Sequence, residues 1–159
     1  MIKVGIIGGS GLDDPDLLKA SEQKTVSTPY GDPSSPLTCG RLNGAEVVLI
    51  ARHGKKHQFS PTQVNYRANI RALKDQGVTH ILATTACGSL REEIGRGDFV
   101  ILDQFIDYTR HRKTTFFESF EEGARHTSMA EPFDSGLRQA LLQSATDLKL
   151  KVHAYGTVI

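Results

Sequence analysis

Three short apolar runs in this chain each break off into residues suited to holding a small anion. Ile2-Lys3-Val4-Gly5-Ile6-Ile7 leads into Gly8-Gly9-Ser10-Gly11. Val47-Val48-Leu49-Ile50-Ala51 ends at Arg52-His53-Gly54, and His80-Ile81-Leu82-Ala83 ends at Thr84-Thr85-Ala86-Cys87-Gly88-Ser89. Runs this short and this apolar suit buried strands. In an open α/β sheet, ligands gather outside the carboxyl ends of the strands. Three such ends, converging, would present backbone N–H groups, hydroxyls and one guanidinium to a single small anion.

The rest of the chain is compatible with such a sheet. Asp13-Asp14-Pro15 reads as a cap followed by a short helix through Leu17 and Leu18. Residues 28–36 are dense in turn formers and make a loop. Residues 37–42 and 45–51 flank Asn43-Gly44, the strongest two-residue hairpin signal. Ser60-Pro61 reads as a helix start, with the helix running to about Lys74 and stopping at Gly77. Val64, Ala68 and Ala72 fall on one face of it. Residues 79–84 and 99–102 read as strands. Asp134-Ser135 caps a helix that carries Leu137, Leu141, Ala145 and Leu148, and Lys151–Tyr155 begins a last strand. Strands alternating with helices, plus one hairpin, predict an α/β fold with a mixed sheet flanked by helices. The expectation is one domain over residues 1–159.

Each anion-suited segment has a plainer alternative. Gly8-Gly9-Ser10-Gly11 is either a loop whose N–H groups cradle an anion or a tight strand-to-helix turn. It is not a Walker loop, because no Gly-Lys-Ser/Thr follows. The dinucleotide fingerprint is also incomplete, with Asp14 where its third glycine belongs. That weighs against the rival reading, a non-catalytic nucleotide-binding module. Arg52 places a permanent cation with a planar, two-donor fork at a strand end. His53, Lys55, Lys56 and His57 beside it favour anion binding over a solitary surface arginine. His53 and His57 have a spacing seen in zinc sites, but no carboxylate or cysteine completes a ligand set, and no metal is expected. Thr84–Ser89 gains its meaning from the other two ends. No base visible in the sequence activates Cys87, so it is not assigned as a nucleophile.

Composition narrows the classes. Nineteen basic against 18 acidic residues give a net charge of +1, so neither nucleic acid nor a membrane surface is expected as a partner. Two cysteines without metal or redox spacing suit a reducing, cytoplasmic compartment. No signal peptide is expected ahead of the first strand. No apolar stretch approaches the roughly 20 residues of a membrane helix.

Beyond pattern, six segments occur in an order that resembles a known family. They are Gly5–Pro15, Ala51–Gly54 (Ala-Arg-His-Gly), Val64–Ile70 (Val-Asn-Tyr-Arg-Ala-Asn-Ile), Thr84–Ile94, Asp103–Asp107 (Asp-Gln-Phe-Ile-Asp) and Met129–Phe133 (Met-Ala-Glu-Pro-Phe). The chain resembles the trimeric purine nucleoside phosphorylase family over its whole length. The Thr-Thr-Ala-Cys-Gly-Ser segment is similar to that of the methylthioadenosine branch.

The resemblance implies phosphorolysis of S-methyl-5′-thioadenosine to adenine and 5-methylthioribose 1-phosphate, in methionine and purine salvage. It implies no cofactor, with inorganic phosphate as co-substrate, and self-association as a homotrimer. It implies that Ser10, Arg52 and His53 contact phosphate. Thr85 and Ala86 would lie where phosphate meets ribose. His126 would reach across a subunit boundary to a neighbour's nucleoside. The family's pattern continues for roughly another hundred residues. That stretch includes a Glu-Gly-Pro-Arg-Phe segment, a Met-Thr pair and the aspartate that recognises and protonates the purine. None of these lies within residues 1–159, which therefore resemble the amino-terminal part of such an enzyme, and no catalytic acid is identified here. The chain stops at Ile159 in strand-like sequence, which adds to the expectation of an incomplete domain.

Overall fold

In the computed structural model of the protein, every residue from 1 to 159 is described except Ser10, Asp13, Asp14 and Glu122; the side chain of Pro15 is also outside the description. The chain forms two compact units. One comprises Met1–Ala86 with His111–Phe116, the other Cys87–Arg110 with Phe117–Ile159.

The first unit is built on a five-stranded mixed sheet. Its strands are β1 (Lys3–Gly8), β2 (Lys19–Lys24), β3 (Leu37–Leu42), β4 (Ala45–Ala51) and β5 (His80–Ala83), in the order β2-β3-β4-β1-β5. β1 runs parallel to both β4 and β5, while β2, β3 and β4 pair antiparallel. The β3–β4 hairpin turns at Asn43 (φ 48°) and Gly44 (φ 85°). Both residues are left-handed, as a two-residue turn of the primed type requires. A single 3-10 turn over Pro15–Leu17 stands where a short helix was predicted. The expected cap, Asp13-Asp14, falls outside the described residues.

β4 is covered on both faces. Val48 and Ile50 join Leu37, Ala72 and Leu73 in one cluster; Val47 and Leu49 join Leu18, Val4 and Ile6 in another. Alternating side chains of one strand thus serve two layers, which is why its sequence reads as an unbroken apolar run. The first layer faces helix α1 (Tyr66–Asp75), whose buried residues are Ala68, Asn69, Ala72 and Leu73. Gly5 lets the helix approach β1. A Cβ there would stand 2.9 Å from Val78 Cγ1 and 3.2 Å from Leu73 Cδ1.

The start of α1 differs from the prediction. Ser60 and Pro61 lie in a turn, and the cap is Asn65, whose side-chain oxygen accepts from Ala68 N. The same amide donates to Tyr30 O at 2.7 Å. Buried Asn69 is satisfied in a similar way: its Oδ1 accepts from Ser34 N at 2.8 Å and its Nδ2 donates to Ser34 Oγ at 3.0 Å. Ser35 Oγ accepts from Ala51 N at 3.0 Å. These contacts tie the 28–36 loop to α1 and to Ala51, the last residue of β4 before Arg52.

The second unit holds β6 (Phe99–Val100), β7 (Gln104–Phe105), helix α2 (Ser135–Asp147), β8 (Val152–His153) and β9 (Thr157–Val158). β6 pairs parallel with β8, and β7 with β9. Between the two pairs Asp103 N donates to Gly156 O at 3.2 Å, and Gly156 N donates to the Asp103 side chain at 3.0 Å. Asp134 caps α2 as predicted, accepting from Leu137 N at 2.8 Å. Of the residues expected to line its apolar face, Ala145 is buried whereas Leu141 and Leu148 are exposed. Asp98 ties the turn before β6 to β8: its carboxylate accepts from Lys151 Nζ at 2.7 Å, His153 Nε2 at 2.9 Å and Gly95 N at 2.9 Å. Those donors, Lys151 first, hold the Asp98 carboxyl well below the usual carboxylate range. Among the described residues, no helix is long and apolar enough to cross a membrane.

Candidate functional site

Parallel pairing in the first unit brings the three predicted strand ends to one level. Gly8 stands opposite Ala51, and Ile7 opposite both Ile50 and Ala83. The ladder extends one step further on each side, with Arg52 N donating to Gly8 O at 3.0 Å and Thr84 N to Ile7 O at 3.2 Å. Gly9, Arg52 and Thr84 therefore leave the sheet side by side. They open onto a cavity of about 680 Å³, a size suited to a small-molecule ligand.

Gly9, Arg52, His53, Thr84, Thr85 and Ala86 line this cavity, together with His57, Phe59 and Pro61. Four residues singled out in the sequence, Arg52, His53, Thr85 and Ala86, thus share one wall system. Ser10 lies outside the described residues. His126 sits on an exposed irregular segment of the second unit.

The Arg52 guanidinium is fixed. Nη1 donates to Thr84 O at 2.6 Å, and Nε donates to His53 Nε2 at 3.3 Å. Nη2 lies over Gly9, where a Cβ would come within 3.2 Å of it, so glycine at this position leaves the fork its room. The His53 ring is fixed from its other side, with Nδ1 2.9 Å from Phe59 O. Phe59 N in turn donates to His53 O at 3.1 Å. This double pairing closes a tight loop over residues 53–59. Gly54 at φ 79° permits it, and the Gln58 amide packs over that glycine, so that a Cβ there would force the Gln58 side chain to move. His57, at φ 51°, stacks its ring nearly parallel to that of His53 at 6.3 Å.

Arg52 gives the cavity a permanent positive charge. Among its described lining residues there is no carboxylate. A small dianion would meet the guanidinium, the Thr84 and Thr85 hydroxyls and the chain at Ala86. Nothing among these groups is suited to protonating a departing purine. His57, Phe59 and Pro61 are lining residues the sequence reading did not assign. The basic run through His57 was a signal for the first of them. Phe59 and Pro61 carried none, because Ser60-Pro61 reads as a helix start.

Comparison with known proteins gives the family. A family model described as the phosphorylase superfamily matches residues 3–159. The chain is 52% identical over 161 residues to S-methyl-5′-thioadenosine phosphorylase of Danio rerio, covering 99% of this chain and 58% of the relative. It is 48% identical over 159 residues to the protein of that name from Pyrococcus horikoshii, covering 100% of this chain and 60% of the relative. Among solved structures, methylthioadenosine phosphorylase of Schistosoma mansoni in complex with tubercidin matches with a TM-score of 0.91 and 46% identity. That match covers 99% of this chain and 62% of the other. The chain thus spans about three fifths of the length of the relatives it matches. Agreement in fold and sequence that runs from the first strand to the last residue has one reading: this chain belongs to the phosphorylase superfamily.

Proposed function

We propose that this chain carries the phosphate-binding part of an S-methyl-5′-thioadenosine phosphorylase. The observation that carries the reading is the fixed Arg52 fork at the meeting point of three parallel strand ends. The relatives, S-methyl-5′-thioadenosine phosphorylases, supply the substrate. In the proposed reaction a phosphate oxygen forms a bond to the anomeric carbon of the nucleoside while the carbon–nitrogen glycosidic bond breaks. The electron pair goes to the adenine, which takes up a proton, and the products are adenine and 5-methylthioribose 1-phosphate.

As the bond lengthens the sugar becomes cationic, and a dianion held beneath it stabilises that charge. Arg52 and His53 would hold the phosphate with Ser10, and Thr85 and Ala86 would mark its border with the ribose. Protonation of the leaving adenine calls for an acid, which the family's pattern puts on an aspartate. We place it in sequence outside residues 1–159. A homotrimer with His126 facing a neighbour's nucleoside, a cytoplasmic location and a role in methionine and purine salvage complete the proposal. No cofactor is required, since phosphate is itself the co-substrate.

The test is adenine release from S-methyl-5′-thioadenosine, run with the protein at its relatives' length and with residues 1–159 alone. The longer protein is expected to release adenine only when phosphate is present, with saturation as phosphate rises. Residues 1–159 alone are expected to turn over poorly, because anion contacts bind the ground state without helping the base to leave. Adenine release independent of phosphate would overturn the reaction assignment. Equal turnover by both proteins would overturn the assignment of the acid.

A further inference from the structure

We propose that Tyr66 is a positioning residue for the apolar lip of the cavity: its hydroxyl holds Pro61 in place while Arg112, from the 111–116 segment, clamps its ring. This rests on the reading of the cavity as a site for phosphate and a nucleoside, and adds the residues that shape its organic end.

The cavity has two kinds of wall. Arg52, Thr84 and Thr85 offer charge and hydroxyls, whereas the side chains of Phe59 and Pro61 offer apolar surface alone. In phosphorolysis the anion occupies the first wall, so the second is left to the organic part of the nucleoside. Phe59 and Pro61 belong to the stretch between β4 and α1, which forms neither helix nor strand. Its shape therefore depends on individual contacts. Phe59 N donates to His53 O at 3.1 Å, and Gln63 N and Val64 N donate to Ser60 O at 2.9 and 3.2 Å. A proline has no N–H to give, so its carbonyl is the backbone group that can fix it. Pro61 O accepts from the Tyr66 hydroxyl at 3.0 Å. Tyr66 opens α1, which is anchored by its Asn65 cap and by buried Ala68, Ala72 and Leu73. Pro61 is thus tied to a fixed helix through one hydroxyl.

That hydroxyl is only as well placed as its ring. The Arg112 guanidinium carbon lies over the Tyr66 ring, 5.2 Å from its centroid. Beside it, Arg67 reaches the same segment, where Nη1 donates to Thr115 O at 3.1 Å. The Arg67 guanidinium also lies 4.9 Å from the Tyr30 centroid, and Phe116 meets Tyr30 edge-on at 5.3 Å. All of these residues belong to the first unit. Arg112 Nε is buried with no hydrogen-bond partner among the described residues. An unpaired buried donor costs stability, and a leucine would cover the ring without that cost. What the arginine adds is a cation held against the ring face, which keeps the ring from turning away from Pro61.

The test uses the protein at its relatives' length. Tyr66→Phe removes the hydroxyl and keeps the ring. It should raise KM for S-methyl-5′-thioadenosine about fivefold, the effect of one lost hydrogen bond, and leave kcat and the KM for phosphate within about twofold of the parent. Hydrogen exchange at Phe59, Gln63 and Val64 should quicken by a similar factor, while exchange at Val48 and Ile50 in β4 stays as in the parent. Arg112→Leu should move both readouts in the same direction, and Arg112→Lys, which keeps a cation over the ring, should fall between it and the parent. Either readout unchanged in Tyr66→Phe would overturn the positioning role, as would exchange that quickens in β4 as well, the mark of a merely structural effect. Arg112→Leu behaving like the parent in both would overturn the clamp. A parent protein that releases no adenine in the presence of phosphate would overturn the reaction reading instead, and exchange would still report whether the hydroxyl holds Pro61.

Discussion

Arg52→Ala is expected to weaken phosphate binding about a hundredfold, close to 3 kcal/mol, because charge-assisted contacts of a two-donor fork are lost. The guanidinium is the one permanent cation among the cavity's described lining residues, and nothing beside it can take its place. Arg52→Lys should recover only part of the affinity. An ammonium keeps the charge but cannot bind Thr84 O and His53 while still presenting a donor pair. Phosphate titration by calorimetry, with circular dichroism confirming an unchanged fold, reads both variants. An unaltered Kd for Arg52→Ala would remove this residue from the site.

Leu73→Ala is expected to destabilise the protein by about 2–5 kcal/mol, the usual effect of emptying a leucine-sized volume in a packed interior. Leu73 is fully buried among Leu37, Val48, Ile50 and Ala72, and it reaches into the space above Gly5. It therefore joins α1 to β1, β3 and β4 at once. Against the 5–15 kcal/mol that hold a typical domain together, such a loss is large. The urea midpoint should fall with little change in slope. A loss below about 1 kcal/mol would mean that this cluster is not the core of the sheet.

Much of this fold could be read along the sequence where local chemistry and tertiary packing agree. The Asn43-Gly44 turn needs two left-handed residues and has the two that adopt that conformation most readily. β1, β4 and β5 announce themselves because parallel strands carry apolar side chains on both faces. β2 was invisible for the opposite reason. Lys19–Lys24 is exposed at every position and lies at the edge of the sheet, with its register to β3 shifting between Lys19 and Glu22. Its place comes from backbone pairing, which leaves no hydrophobic pattern. The start of α1 was misread because Ser60-Pro61 has cap chemistry, while Asn65 has both that chemistry and a partner in Tyr30. Tertiary contact decided between two suitable residues.

The site divides in the same way. Arg52, His53, Thr85 and Ala86 could be named because strand ends position them, and a strand end is legible in sequence. Phe59 could not, because its place beside His53 depends on the closure of the 53–59 loop through Gly54. His126 was reached through family resemblance alone.

The proposed chemistry requires an anion held where β1, β4 and β5 end. Crystals soaked in selenate, and measured at the selenium absorption edge, test this most directly. The predicted result is an anomalous peak within hydrogen-bond reach of the Arg52 guanidinium and the Thr85–Ala86 segment. Peaks found only at other surfaces, with this cavity empty at saturating selenate, would contradict it.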